Sequence, residues 1–277
     1  MTDSLVTGMD SHAHVFTQDL PLAPGRRYAP AYDAPLERYR AMLAGIGMSH
    51  GVLIQPSFLG FDNRYLLACL DAHPQQLRGV VMADPVNALG YIDDWHARGV
   101  VGIRANLIGA PLPDFTDQRW TALLSRMVAL DWHLEMQIDA GRLFQVAPAL
   151  LASGVRIVID HFGRFDPALG TSDPGFAYLL LLGQTRRVWV KVSAAYRVGA
   201  KPGNPEATFA TSAKAWSELL SAFGTERLLW GSDWPHTQFE HVCDPQRALG
   251  DLHRLVTDAA HRRAVLIDTP TELFHFR

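Results

Sequence analysis

The feature that most limits how this chain folds is an alternation. Eight short apolar runs, bounded by Gly, Pro or Asn, are separated by segments whose apolar residues recur at helical spacing. The runs are MDSHAHV (9–15), HGVLIQP (50–56), LRGVVMAD (77–84), GVVGIRANL (99–107), WHLEMQI (132–138), VRIVIDH (155–161), RVWVKVS (187–193) and RLLWGSD (227–233). Most are continuously hydrophobic, as strands buried on both faces are. The helical segments between them include APLERYRAMLAGIG, NRYLLACLDAHP, RWTALLSRMVALD, GRLFQVAPALLASG, GFAYLLLLGQ, AKAWSELLSAFG and DPQRALGDLHRLV, with a shorter candidate, YIDDWHARG, before the fourth run. Strand followed by helix, eight times over, predicts a parallel sheet closed into a (β/α)₈ TIM barrel. At 277 residues, the chain suits one such domain spanning 1–277. An open doubly wound sheet is the alternative, but no GxGxxG follows an early strand.

The connections are unequal. Helix-to-strand links are short, whereas strand-to-helix links run to about 18 residues after strand one and about a dozen after strands six and seven. In barrels of this kind the loops after the strands build the active site, so chemistry is expected at the strands' C-terminal ends.

Polar groups collect at those ends. His12 and His14 are two residues apart, which places both rings on one strand face, about 6.7 Å apart along it. Counting by twos adds Arg104 and Asn106, Glu135 and Gln137, His161, Lys191 and Ser193, and Asp233. Burying this set without partners or a ligand would be costly. His12, His14, His161 and Asp233 offer three nitrogens and a carboxylate, a shell suited to one zinc ion. The same groups can polarise a carbonyl and activate water with no metal, and the residues leave both readings open. Arg104 is also a candidate partner of Glu135, Lys191 and Glu135 read as a structural ion pair, and Asp10 as an orienting group for the histidines. His50, His73, His96, His253 and His261 lie at helix ends or on helices and read as surface residues.

Composition narrows the partners. The net charge is −3 with no Lys/Arg cluster, so neither nucleic acid nor anionic membrane is expected. No apolar stretch of about 18 residues and no N-terminal apolar core are present, and the two cysteines form no framework, so a reduced cytoplasm is the expectation. Whether the chain works alone or as a homo-oligomer is left open.

DSHAHVF on strand one, VIDHFGR on strand six and LLWGSDWPH on strand eight resemble the amidohydrolase superfamily, in the branch of the pyrone-dicarboxylate, sugar and muconolactone lactonases. RRYAP, VLIQPSFLGFDNRYLL, GVVGIRANL and VWVKVS extend the resemblance over nearly the whole chain. It implies a metal-dependent-hydrolase type of barrel that opens an anionic lactone, of the kind met in aromatic catabolism. Asp233 would be the general base, and His12, His14 and His161 would polarise the carbonyl, directly or through a single divalent metal such as zinc. Tyr28, Ser57, Arg104, Arg197 and His236 match positions that hold substrate carboxylates or hydroxyls. The chain also departs from the pattern. Strands four and five lack the lysine and histidine of bimetallic members, Ala110 stands where a second arginine is expected, and Gln137 replaces a tyrosine. A decarboxylase of the same superfamily and a non-catalytic binder of acidic metabolites are the competing readings.

Overall fold

The structure is a computed structural model that describes residues 6–199 and 204–276. Eight strands form one sheet in sequential order, every neighbouring pair parallel. They are β1 (Met9–Ala13), β2 (His50–Ile54), β3 (Leu77–Val81), β4 (Val100–Asn106), β5 (His133–Gln137), β6 (Arg156–Ile159), β7 (Val188–Lys191) and β8 (Leu228–Leu229). The major helices following them are α1 (Leu36–Gly45), α2 (Arg64–Ala72), α3 (Ile92–Ala97), α4 (Gln118–Ala129), α5 (Leu143–Ser153), α6 (Pro174–Leu182), α7 (Pro205–Phe223) and α8 (Pro245–Leu255). This is the expected (β/α)₈ barrel. No helix among the described residues is long and apolar enough to cross a membrane.

Local sequence explains several helix starts. α6, α7 and α8 each begin with Asp or Asn followed by Pro, and Asp173, Asn204 and Asp244 accept backbone N–H bonds within the first turn. The side chain satisfies an orphan donor, while proline at the first helical position gives none up. α5 ends on Gly154 at φ 82°, a left-handed conformation that glycine adopts without strain.

Closure of the barrel departs from the expected eighth strand. Only Leu228 and Leu229 pair as a strand with β7. Trp230–Trp234 then runs along β1 through Ser11 N to Trp230 O (3.0 Å), Asp233 N to His12 O (2.8 Å) and His14 N to Trp234 O (2.8 Å). Gly231 permits this approach, since a Cβ there would lie 2.5 Å from His12 Cβ. Asp10 pins the seam. Fully buried, its carboxylate accepts from Ser232 N (2.7 Å), Ser232 Oγ (2.6 Å), His12 N (3.2 Å) and Tyr39 OH (3.3 Å). It touches neither imidazole, contrary to its expected orienting role, because β1 shifts register between Asp10 and Ala13 and turns Asp10 toward Tyr39 of α1.

The lower barrel is apolar: Met9, Val52, Val80, Val158 and Leu229 pack with Phe274 from the C-terminal segment. That segment also corrects the reading of His50 as a surface residue, because the His50 ring is buried edge-on against Phe276, 5.0 Å between centroids.

Asp10→Asn places an amide donor where every neighbour is also a donor. Chemical denaturation should show a loss of about 3 kcal/mol. A change below about 0.5 kcal/mol would show that the seam does not depend on this carboxylate.

Candidate active site

Above the apolar layer the barrel turns polar. Lys191 of β7 forms an ion pair with the Glu135 carboxylate of β5, as expected, and lies 3.1 Å from His12 Nδ1 and 3.7 Å from Asp160 Oδ1. Arg104 of β4 donates to Asp160 Oδ2 (3.2 Å) and Gln137 Oε1 (3.0 Å), and its Nε lies 3.7 Å from Glu135 Oε1. All of these side chains are essentially buried. Two cations and two carboxylates make a floor with no net charge, the condition under which charges withstand desolvation. Burial alone would raise the Asp160 pKa, but Lys191 and Arg104 outweigh it and hold the group below its ordinary value.

His161 reaches the site by a backbone turn. β6 ends at Ile159, and counting by twos along its inward face from Val158 leads to Asp160. The chain then adopts φ 51° at His161 and 55° at Phe162, which brings the next side chain inward as well. Such angles are costly for non-glycine residues and persist where surrounding contacts enforce them. Asp233 is held the same way, at φ 62°.

The two Asp233 oxygens have different surroundings. Oδ2 accepts from Tyr196 OH (2.6 Å), Arg197 Nε (2.9 Å) and Arg197 Nη2 (2.8 Å). Oδ1 is buried with no hydrogen-bond partner and faces Nε2 of His12, His14 and His161 at 3.6, 3.7 and 3.8 Å. Burial by itself would raise the Asp233 pKa. The Arg197 guanidinium, backed by the imidazoles, reverses the sign and holds it well below the usual carboxylate range. Burial has the opposite consequence for the rings. It keeps His12 and His161 neutral well below the usual imidazole pKa and lowers His14 to about 4. His14 Nδ1 lies 2.8 Å from the Ile54 carbonyl, which only accepts, so Nδ1 carries the proton and Nε2 presents its lone pair.

A cavity of about 340 Å³ opens above this cluster. Tyr28, Ser57, Arg104, Gln137 and Arg197 all line it, together with His14 and Asp233. The Arg197 fork, however, is directed at Asp233, with its guanidinium over the Phe239 ring at 4.9 Å. His236 stands behind the wall, with Nδ1 3.2 Å from Tyr196 OH. Sequence reasoning overlooked Asp160, Tyr196, Arg27 and Arg164. Asp160 and Arg164 lie within VIDHFGR, on either side of His161. The proline-rich loop after β1 is tied over the cavity by Tyr28 OH to Thr237 Oγ1 (3.1 Å) and Tyr32 OH to Glu240 Oε1 (2.6 Å). A second cavity of about 410 Å³, with largely apolar walls, lies behind Tyr196 against α7 and α8 and contains neither Asp233 nor the imidazoles.

The donor set fits one metal ion. His12, His14 and Asp233 each offer an atom within 4.8 Å of the others, and Nε2 of His12 and His161 are buried without partners. A second group, His12, Asp160 and His161, shares the His12 ring, and Arg104 and Lys191 already neutralise Asp160. The positive charges of Arg104 and Lys191 beside Asp160 oppose a second ion there.

A (β/α)₈ barrel that gathers HxH, a sixth-strand His and an eighth-strand Asp at its strand ends has the form of a metal-dependent-hydrolase barrel. Comparison with known proteins gives the family: the amidohydrolase profile matches residues 9–276, and this chain belongs to the amidohydrolase family. It is 33% identical to 4-sulfomuconolactone hydrolase of Rhizobium radiobacter, over 96% of this chain and 89% of that protein. Identity to the 2-pyrone-4,6-dicarboxylate hydrolase of Comamonas testosteroni is 28%, over 96% and 89% of the two chains. A crystal structure from Pseudomonas putida, provisionally named a 2-pyrone-4,6-dicarboxylic acid hydrolase, superposes with TM-score 0.92 and 46% identity over 99% of both chains.

Two expectations follow. Zinc titrated into metal-free protein should saturate at no more than one equivalent by calorimetry; two tight equivalents would contradict the cation-filled floor. With Asp233 ionised and His14 neutral down to about pH 4, kcat/KM should stay level from pH 8 to about pH 5 and fall only below that. Arg197→Met removes the charge that opposes desolvation, so its acid limb should move up by about one pH unit or more. A wild-type limb near 6.5, the ordinary imidazole value, would contradict this charge assignment.

Proposed function

We propose that this chain hydrolyses a lactone, the cyclic ester of a small carboxylated metabolite, with Asp233 as the base that activates water. The observation that carries the reading is the divided Asp233 carboxylate: one oxygen fully bonded, the other bare and facing three imidazoles at the floor of the barrel mouth. The names of its relatives, hydrolases of sulfomuconolactone and pyrone dicarboxylate, support a cyclic ester as substrate.

Water against Oδ1 loses a proton to it as its oxygen bonds to the lactone carbonyl carbon. Negative charge leaves Asp233 and develops on the carbonyl oxygen, where His12, His161 and Arg104 stabilise it. The ring C–O bond then breaks, and the departing oxygen collects the proton from Asp233. Arg197 makes Asp233 a weak base, so the proton it takes is readily passed on. Tyr196, its pKa raised well above the ordinary phenol value by burial and by Asp233, remains a hydrogen-bond donor that holds the carboxylate in orientation. Tyr28, Ser57 and Gln137, which line the cavity, are assigned to the ring substituents, and Arg104 to an anionic one. A divalent ion such as zinc, held by His12, His14, His161 and Asp233, would add Lewis-acid polarisation of the carbonyl when bound.

Asp233→Asn should reduce kcat by about 10²–10⁴-fold while a substrate analogue binds within a few-fold of wild type. Near-normal turnover in that variant would remove the mechanism. Product analysis separates the decarboxylase alternative, since release of CO₂ in place of a ring-opened acid would decide for it.

A further inference from the structure

A neutral imidazole has one N–H, and the partner of its outer nitrogen decides which nitrogen carries it. His14 Nδ1 meets the Ile54 carbonyl and donates to it. His161 Nδ1 lies 2.9 Å from Ser193 Oγ, a hydroxyl that can give or take. His12 differs from both. Its Nδ1 lies 3.1 Å from Lys191 Nζ, and an ammonium only donates. Two carboxylate oxygens are also near, Asp160 Oδ1 at 3.3 Å and Glu135 Oε1 at 3.5 Å. Both are buried without a hydrogen-bond partner, so neither takes a hydrogen from the ring. Lys191 is wholly buried and fixed by its ion pair with Glu135. Charge balance alone requires that pair; it does not require a further contact with an imidazole of the site.

We infer that Lys191 is a positioning residue that fixes His12 as the Nε2–H tautomer and so makes it a hydrogen-bond donor to the scissile carbonyl oxygen; the second half of this rests on the lactonase reading. With Lys191 donating to Nδ1, a hydrogen on that nitrogen would face another, whether the ring were neutral or charged. The single ring hydrogen therefore stands on Nε2. That atom is buried without a partner and lies 3.6 Å from Asp233 Oδ1, beyond hydrogen-bond reach, so its N–H is free for substrate. A donor set before the reaction costs no reorganisation when charge develops on the carbonyl oxygen. His14 presents a lone pair to the same carboxylate, so what lies behind each ring divides the HxH pair into one donor and one acceptor. The same contact works against a metal. His12 can ligate through Nε2 only after the hydrogen moves to Nδ1, which breaks the bond from Lys191.

Long-range ¹H–¹⁵N spectra of metal-free, histidine-labelled protein test the assignment, with the His12 signals identified by their loss in His12→Gln. Nε2 should show the shift of a protonated nitrogen and Nδ1 that of a bare one; the reverse pattern would overturn the inference. Lys191→Met combined with Glu135→Met replaces the ion pair by apolar side chains of similar size without altering net charge, a change that buried pairs often tolerate. Asp160 Oδ1 is then the nearest partner left to Nδ1, and the hydrogen should move there. In that variant kcat should fall by about 10²-fold or more with KM within a few-fold of wild type. Zinc should bind it about tenfold tighter by calorimetry, the worth of the one hydrogen bond no longer broken. The wild-type spectrum decides the tautomer even if the double variant folds poorly. An unchanged tautomer in the folded variant, or zinc affinity that does not rise, would leave Lys191 with charge balance alone, and a moved hydrogen with unchanged kcat would remove the donor role. If the hydrogen moves and zinc tightens while neither protein hydrolyses any lactone, the hydrolase reading fails and the control of His12 by Lys191 stands.

Discussion

The ion pair between Asp233 and Arg197 governs the rest of this site. A carboxylate buried in the centre of a barrel would ordinarily take up a proton and lose its use as a base. Here a guanidinium at 2.8 Å keeps it charged while occupying only one of its oxygens. The imidazoles respond to the same burial by remaining neutral, so one resting site contains an ionised carboxylate beside uncharged rings. The balanced floor of Arg104, Glu135, Asp160 and Lys191 makes that possible, since it adds polar groups around the rings without adding net charge.

Much of this was legible in the residues. The eightfold alternation carries the barrel because a strand buried on both faces and an amphipathic helix leave distinct patterns. The inward positions of His12, His14, Arg104, Glu135 and Lys191 follow from a period of two. The failures fall where that period breaks. Asp10 was misread because a register shift lies beside it. Asp160 was passed over because His161 enters the site through a left-handed turn that no strand count foresees. Arg197 lines the cavity as its position implies, but its pairing with Asp233 was not legible, since it depends on two loops meeting after β7 and β8. Arg27 left no pattern at all, because a loop arginine's reach is a tertiary property.

Membership of the amidohydrolase family sets the chemistry more firmly than the substrate. The strand residues that surround Asp233 are dictated by the barrel, whereas the rim comes from loops that vary independently of it. Gln137, Ala110, Arg27 and Arg164 all lie in or next to that variable layer. Differences there change what lines the cavity mouth and leave the Asp233–Arg197 pair in place.

The charge state of the resting imidazoles tests this account most directly. Long-range ¹H–¹⁵N correlation spectra of histidine-labelled protein at pH 6 should show His14 neutral with its proton on Nδ1, and His12 and His161 neutral as well. An imidazolium signature at any of the three would mean that Asp233 is paired by its histidines, and an unencumbered carboxylate oxygen could no longer be held responsible for activating water.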